Sequence, residues 1–209
     1  LSILDVSTIN ATPLNVVERS DGRYHVLYKD DEYRSVLVEK GGVLNTTSKV
    51  TFTALSHFTS PIALPTADGG FAVAGNNSGG TEIQYAKISS SQSVTPTFNR
   101  SSKFRTNATV SQISGFILNN NGDLCITGQA VSTALVNIGL IIANGTTGNP
   151  TAQSWNPSTN TLIQGIHLVQ NSNGTYSLLA NDIGSTPKEY FIDFSGSNFS
   201  LTRTLTFDI

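Results

Sequence analysis

The sequence predicts an all-β chain built from four antiparallel sheets. Apolar residues alternate with polar ones over many short runs, and this period of two is typical of strands, because successive side chains point to opposite faces. No window of 11 to 18 residues has the 3.6-residue period of an amphipathic helix. A third observation is a short turn motif that occurs four times along the chain.

Each copy of the turn motif begins with Asp-Gly or Asn-Gly, followed by apolar residues three and five positions later. We call the first residue of each copy its anchor. The anchors are Asp21, Asp68, Asn121 and Asn173, separated by 47, 53 and 52 positions. Asx-Gly is a strong hairpin signal, and we expect a type I′ turn, in which both central residues have positive φ. Each anchor therefore marks a turn between two strands.

The segments around each hairpin repeat as well. A first strand is expected before each turn, at 14–17, 61–64, 113–118 and 163–169. Third strands are expected at 36–40 and 83–87, which also lie 47 positions apart, and at 136–143 and 189–194. Fourth strands are expected at 50–55, 94–98, 201–207 and, more weakly, 151–155. Each repeat is thus predicted to be a four-stranded meander.

Four-stranded units that recur every 40 to 50 residues are typical of a β-propeller, in which neighbouring blades cover each other's apolar faces. We expect one domain over residues 1–209, with blades near 12–55, 60–98, 111–155 and 162–207. Residues 1–6 alternate like a further strand, which either closes the ring or belongs to a missing blade of a larger propeller. A β-sandwich is the alternative fold, but it gives no reason for the regular spacing.

The second copy of the motif, residues 68–75, has the sequence Asp-Gly-Gly-Phe-Ala-Val-Ala-Gly. It resembles the Asp-Gly-Gly-aromatic-x-Val-x-Gly blade motif of a family of exported or lipid-anchored bacterial propeller proteins. The other copies match loosely, with Arg23, Asp123 and Thr175 at the second glycine position. The resemblance implies a propeller fold and an export route, and it implies no single activity.

The composition excludes some classes of partner. The charged fraction is 12%, against about 25% in typical globular proteins. The 12 basic and 14 acidic residues leave a net charge of −2, which argues against nucleic-acid binding. Ser and Thr together make up 50 of 209 residues, and we expect this uncharged polar surface to lie outside the cytoplasm, in the periplasm, on the cell surface or secreted. The longest apolar run, 134–143, is too short for a membrane span.

Residues that commonly carry chemistry give no catalytic pattern. The single cysteine, Cys125, lies in an apolar run and is expected to be a buried thiol. The three histidines, His25, His57 and His167, fit no zinc spacing. The acidic run at 30–32 lacks calcium-loop spacing and is interpreted as a solvated loop. We therefore expect no catalytic residue, no metal and no cofactor.

Polar residues at the ends of the second strands are the candidate ligand-binding residues, because propellers commonly bind ligands where equivalent loops converge. The residues eight positions after the anchors are Lys29, Asn76, Gln129 and Asn181, and those nine positions after them are Asp30, Asn77, Ala130 and Asp182. We expect a shallow polar site suited to a glycan or a peptide, with Trp155 available to stack on a sugar ring. The simpler interpretation is that turns favour Asn and Asp.

Three functions remain open at this point. The first is a non-catalytic binding or surface-interaction module with a glycan or protein partner. The second is a glycan-active enzyme with carboxylates gathered at the propeller axis. The third is a structural domain of a larger assembly, and the oligomeric state is left open.

Overall fold

The computed structural model describes residues 11–106, 108–132, 135–155, 163–182, 188–195 and 198–206. In these residues sixteen strands form four sheets of four strands, and the strand order in each sheet follows the chain. The predicted all-β class, with four-stranded antiparallel propeller blades, is confirmed, whereas a sandwich would have two sheets. Residues 1–6 lie outside the described residues, so the extra strand expected there stays a prediction.

The strands of the four blades have the following bounds. Blade 1 contains β1 (Thr12–Glu18), β2 (Tyr24–Lys29), β3 (Tyr33–Val38) and β4 (Leu44–Thr51). Blade 2 contains β5 (Phe58–Pro65), β6 (Phe71–Asn77), β7 (Ile83–Ile88) and β8 (Arg100–Ser102). Blade 3 contains β9 (Val110–Leu118), β10 (Leu124–Ser132), β11 (Leu135–Ala143) and β12 (Pro150–Trp155). Blade 4 contains β13 (Ile163–Gln170), β14 (Tyr176–Asp182), β15 (Lys188–Ser195) and β16 (Asn198–Thr206).

The anchor turns share one geometry, which differs from the expected type I′. In blade 1, Gly22 N donates to Arg19 O at 2.9 Å and Arg19 N donates to Arg23 O at 2.8 Å, and the other three turns repeat both bonds. Each glycine after an anchor has a φ between 77° and 82°. None of the anchors is among the described non-glycine residues that have a positive φ. The type I′ prediction is wrong: these are three-residue loops with a left-handed glycine. The glycine alone takes the left-handed position, so the anchor keeps a negative φ.

Two strand predictions in blade 2 are also corrected. β7 lies 50 positions after β3, not 47, because the loop 78–82 is longer than the loop 30–32 and β6 is one residue longer than β2. The expected fourth strand at 94–98 is wrong, because Pro96–Phe98 forms a 3-10 turn and the strand is β8. Pro96 has no N–H to donate to a strand ladder.

The chain divides into two compact units, one with residues Leu1–Gly75 and Gln84–Arg100, the other with Asn76–Ile83 and Ser101–Ile209. The core of the first unit includes Leu27, Phe52, Phe58, Phe71 and Val73. The core of the second includes Cys125, Ile138, Leu140, Tyr176 and Ile192, which confirms the burial expected for the cysteine.

The aromatic position three residues after the anchor is not uniformly buried. Phe71 and Tyr176 are 0% and 6% exposed, but Tyr24 is 38% exposed. Phe71 and Tyr176 each contact the second strand of the preceding blade. Tyr24 therefore does not pack in a core as its two counterparts do. Among the described residues, no helix combines the length and apolar character needed to cross a bilayer.

Candidate functional site

The pairing of first and second strands sets each candidate residue opposite a polar partner. The residue eight positions after an anchor lies opposite the residue nine positions before it in blades 1, 3 and 4. The pairs are Thr12–Lys29, Gln112–Gln129 and Gln164–Asn181. The first-strand members were missed in the sequence analysis. A signal was present, because the residue nine positions before each anchor is Thr or Gln in all four copies.

The first strand has a β-bulge close to each of these three pairs. The register of β1 shifts between Pro13 and Asn15, that of β9 shifts opposite Thr127 and Gly128, and that of β13 shifts between Gln164 and His167. A bulge adds one residue, bends the strand and changes the direction of nearby side chains. The polar pair in each of these blades therefore lies at a bent part of the first strand.

Gln112 and Gln129, in the second unit, form a side-chain pair. Gln129 Nε2 donates to Gln112 Oε1 at 2.8 Å. Gln112 is exposed and Gln129 is partly buried. Among the described residues neither amide has another side-chain partner, so Gln112 Nε2 keeps its donor hydrogens and Gln129 Oε1 keeps its acceptor sites. The pair therefore presents a donor and an acceptor side by side.

The row that contains this pair continues across blade 3. Gln129 lies opposite Ile138 on β11, and Ile138 lies opposite Trp155 on β12. We call these four positions, Gln112, Gln129, Ile138 and Trp155, the glutamine row. Neighbouring strands are about 4.8 Å apart, so Gln129 and Trp155, which the sequence analysis had selected separately, lie in one row two strands, or about 10 Å, apart.

Asn76 is held against the first strand of blade 3. Its Nδ2 donates to Ser111 O, and its Oδ1 accepts from Ile113 N at 3.3 Å. Ser111 N in turn donates to Gly80 O at 2.7 Å. The Asn76 amide is therefore hydrogen-bonded to the backbone on both sides of Gln112, and it positions the strand that carries Gln112.

Asn77 and Asp30 brace the loops in which they lie. Asn77 Oδ1 accepts from Thr81 N at 2.8 Å, and Asp30 Oδ1 accepts from Glu32 N at 3.0 Å. Partial burial alone would raise the pKa of Asp30, but the Glu32 N–H and the Arg34 guanidinium outweigh it and lower that pKa. Arg34 bonds the carboxylates of both Asp30 and Glu32, so the acidic run is ion-paired.

The remaining candidates lie apart from the glutamine row or are described by register only. Lys29, in the first unit, is exposed, with Nζ 5.1 Å from the Tyr33 ring centroid. Asn181 and Asp182 end β14, opposite Gln164 and Ile163. In the described part of the chain, no group of three or more His, Cys, Asp or Glu residues is placed to hold a metal ion. Burial raises the pKa of Cys125 to about 11, so its thiol stays protonated at neutral pH.

No family model and no curated protein matches the sequence. Among solved structures, puromycin hydrolase in complex with PGG has a TM-score of 0.52 and 11% identity, over 99% of this chain and 34% of that one. Exo-β-1,3-galactanase from Phanerochaete chrysosporium has a TM-score of 0.49 and 13% identity, over 96% and 49%. Endo-1,4-β-xylanase from Bacteroides thetaiotaomicron has 0.48 and 12%, over 91% and 74%.

These likenesses have a limited meaning. The chain spans about a third of the length of puromycin hydrolase and about half that of the galactanase. At 11% identity the likeness to puromycin hydrolase bears on the fold alone. The likenesses with TM-scores of 0.49 and 0.48 support no conclusion about this chain.

Proposed function

We propose that this chain is a binding module that takes a neutral glycan at the glutamine row. The observation that carries the proposal is the hydrogen-bonded pair Gln112–Gln129, with one amide donor and one amide acceptor left for a ligand. Each sugar hydroxyl both donates and accepts a hydrogen bond, so an amide pair of this kind suits adjacent hydroxyls. The row contains no charged residue, which favours a neutral ligand over an acidic or basic one.

The composition of the row also supports a glycan. Ligand sites combine apolar or aromatic walls with a few polar groups that fix orientation. Here the polar pair is followed along the row by Ile138, which is buried in the core of the second unit, and then by Trp155. Trp155, at the end of the row, is the residue proposed for stacking on a sugar ring.

The proposal is tested by screening the purified chain on a glycan array and titrating the best neutral oligosaccharide by calorimetry. We expect Gln129→Ala and Gln112→Ala each to weaken binding about tenfold, the loss of one or two hydrogen bonds. Trp155→Ala tests the stacking role. Thr151→Ala, on the same strand as Trp155 and exposed, is the matched control and should leave the affinity unchanged.

Three results would contradict the proposal. One is the absence of binding to any neutral glycan, and another is an unchanged affinity in a folded Gln129→Ala variant. Binding of an extended peptide in place of a glycan would contradict the ligand class. Hydrolysis of the bound glycan would instead favour the alternative function, a glycan-active enzyme.

We also infer an extracytoplasmic location and a relationship to the exported bacterial propeller proteins. The hydroxyl-rich surface of low charge and the motif at 68–75 support both. Fractionation of the producing cells, with detection by an antibody against this chain, tests the location. Recovery in the cytoplasmic fraction alone would contradict it.

A further inference from the structure

Two buried polar atoms of blade 3 have no hydrogen-bond partner among the described residues. They are Ser111 Oγ and Asn137 Nδ2, in side chains of residues 0% and 3% exposed. Buried polar groups in native proteins are nearly always paired, with protein or with ordered water. Two unpaired atoms in one blade therefore point to a bound molecule.

The strand register sets the two residues on either side of one small side chain. Ser111 and Asn137 both lie opposite Ala130, one from β9 and the other from β11. The three residues form a row one position further along than Gln112, Gln129 and Ile138. Because side chains alternate between the faces of a sheet, this row lies on the opposite face from the glutamine row.

Apolar packing on that face is concentrated two positions away. Phe104 lies on the paired glycines Gly128 and Gly139, where an added Cβ would come within 2.8 and 2.3 Å of it. The next row on that face has the methyl group of Ala130 between its two polar side chains. Internal water molecules bind to buried polar groups that lack protein partners, and the small side chain of Ala130 lies between two such groups.

The equivalent positions of blades 1 and 2 carry a side-chain oxygen. Asp30 and Asn77 stand nine residues after their anchors, as Ala130 does, and each has an oxygen that accepts backbone N–H bonds at 3.0 and 2.8 Å. Ala130 has no such oxygen. We propose that blade 3 binds one or two water molecules beside Ala130. The water accepts a hydrogen bond from Asn137 Nδ2, and with Ser111 Oγ it either donates or accepts one. The site takes a neutral hydrogen-bonding molecule of the size of water.

The backbone around Ser111 holds the site in place. Ser111 N donates to Gly80 O at 2.7 Å, and Ser111 O accepts from Asn76 Nδ2. With both backbone groups bonded, the position of the Ser111 backbone beside Ala130 is fixed. The bound water therefore joins β9 to β11 across β10, and this proposal is independent of the glycan proposed for the other face.

A crystal structure of the native chain at about 1.5 Å resolution or better tests the proposal directly. We expect water density about 2.7 to 3.2 Å from Ser111 Oγ and from Asn137 Nδ2, the normal range for such bonds. A structure in which both atoms pair with protein groups instead, or in which no density lies beside Ala130, overturns it.

Two variants with the same number of side-chain heavy atoms give a second test in solution. Ala130→Asn brings in a side-chain oxygen, and Ala130→Leu brings in a side chain of the same branching without one. We expect both to reduce the number of long-lived waters, measured by oxygen-17 relaxation dispersion, and only Ala130→Leu to lower the thermal midpoint markedly. An equal drop in both midpoints, or an unchanged water count, contradicts the proposal. If neither variant folds, the native crystal structure decides the question alone.

Discussion

The imidazole of His25 packs against the ring of Phe71, with centroids 4.7 Å apart, and its Nδ1 lies 3.2 Å from Gly69 O. His25 stands four residues after one anchor and Phe71 three residues after the next. The same two positions of blades 3 and 4 hold Cys125 and Tyr176, with the thiol 3.3 Å from the phenol oxygen. The same contact between consecutive repeats is thus a ring–ring contact in blades 1 and 2 and a thiol–phenol hydrogen bond in blades 3 and 4.

The stability of the first unit should depend on the protonation of His25. Burial lowers the pKa of His25 below its usual 6.5, and Arg19 acts in the same direction, against the Gly69 carbonyl and Asp68. The unfolded chain therefore binds a proton below about pH 6.5 that the folded chain excludes. We expect the free energy of unfolding to fall as the pH drops below about 6.5, by at most about 1.4 kcal/mol per pH unit.

Urea unfolding between pH 7.5 and 5 measures this dependence. His25→Gln should flatten the profile in that range, whatever its effect on stability at pH 7.5. The same substitution at the exposed His167 is the matched control. A profile that keeps its slope in His25→Gln would show that another group is responsible.

The hydroxyl of Tyr176 should contribute measurably to stability. It accepts hydrogen bonds from Asn119 Nδ2 at 2.8 Å and Cys125 Sγ at 3.3 Å, and burial raises its pKa to about 12. Tyr176→Phe removes both bonds and should lower the free energy of unfolding by about 1–2 kcal/mol. Tyr24→Phe, at the same repeat position but exposed, should change it by less than about 0.5 kcal/mol. Equal effects in the two variants would contradict the assigned role.

A methyl group at Gly139 should be poorly tolerated. An added Cβ would lie 2.3 Å from Cβ and Cγ of Phe104. We expect Gly139→Ala to lower the free energy of unfolding by at least about 1–3 kcal/mol, the usual cost of overpacking. Gly79→Ala is the control, because its nearest atoms would be 3.9 Å away. Combining Gly139→Ala with Phe104→Gly, which removes both clashing atoms, should cost less than the sum of the two, and simple additivity would argue against a direct clash.

Gln92 has a strained, left-handed backbone conformation, and its side chain makes two hydrogen bonds. Its φ is 61°, in a turn where blade 1 has Gly42 with φ 89°. Its Nε2 donates to Ser35 Oγ at 2.9 Å and Ser48 O at 2.8 Å. Gln92→Ala loses the bonds and keeps the strain, so it should be about 1–2 kcal/mol less stable than the native chain. Gln92→Gly removes the strain and should be more stable than Gln92→Ala by about 1 kcal/mol. The reverse order in chemical denaturation would contradict this.

The repeat and its hairpins were predictable because their signals are local. The alternation around Tyr24, Phe71 and Tyr176 and the glycine after each anchor mark strands and turns within ten residues of sequence. The turn type was not predictable in the same way. Asx-Gly fits both a type I′ turn and a loop with one left-handed glycine, and strand pairing around the turn selects between them.

The candidate site was predictable only in part. The position eight residues after each anchor was found from the repeat, but its partner nine residues before the anchor follows from a register that a bulge shifts. The sequence predicts Asn76 as a ligand-binding residue, yet its amide is hydrogen-bonded to the backbone of β9. Trp155, which breaks the repeat, joins the row of Gln129 through two strand pairings.

The sequence by itself determined how many sheets form and where their hairpins turn, because apolar alternation and left-handed glycines act between neighbours in the chain. Only the tertiary structure decided which polar groups stay available, since the hydrogen bonds of Asn76 join it to Ser111 and Ile113 on another strand far along the chain. Asn76 and Gln129 hold equivalent positions in their repeats. One amide is used by the next blade, while the other keeps an acceptor for a ligand.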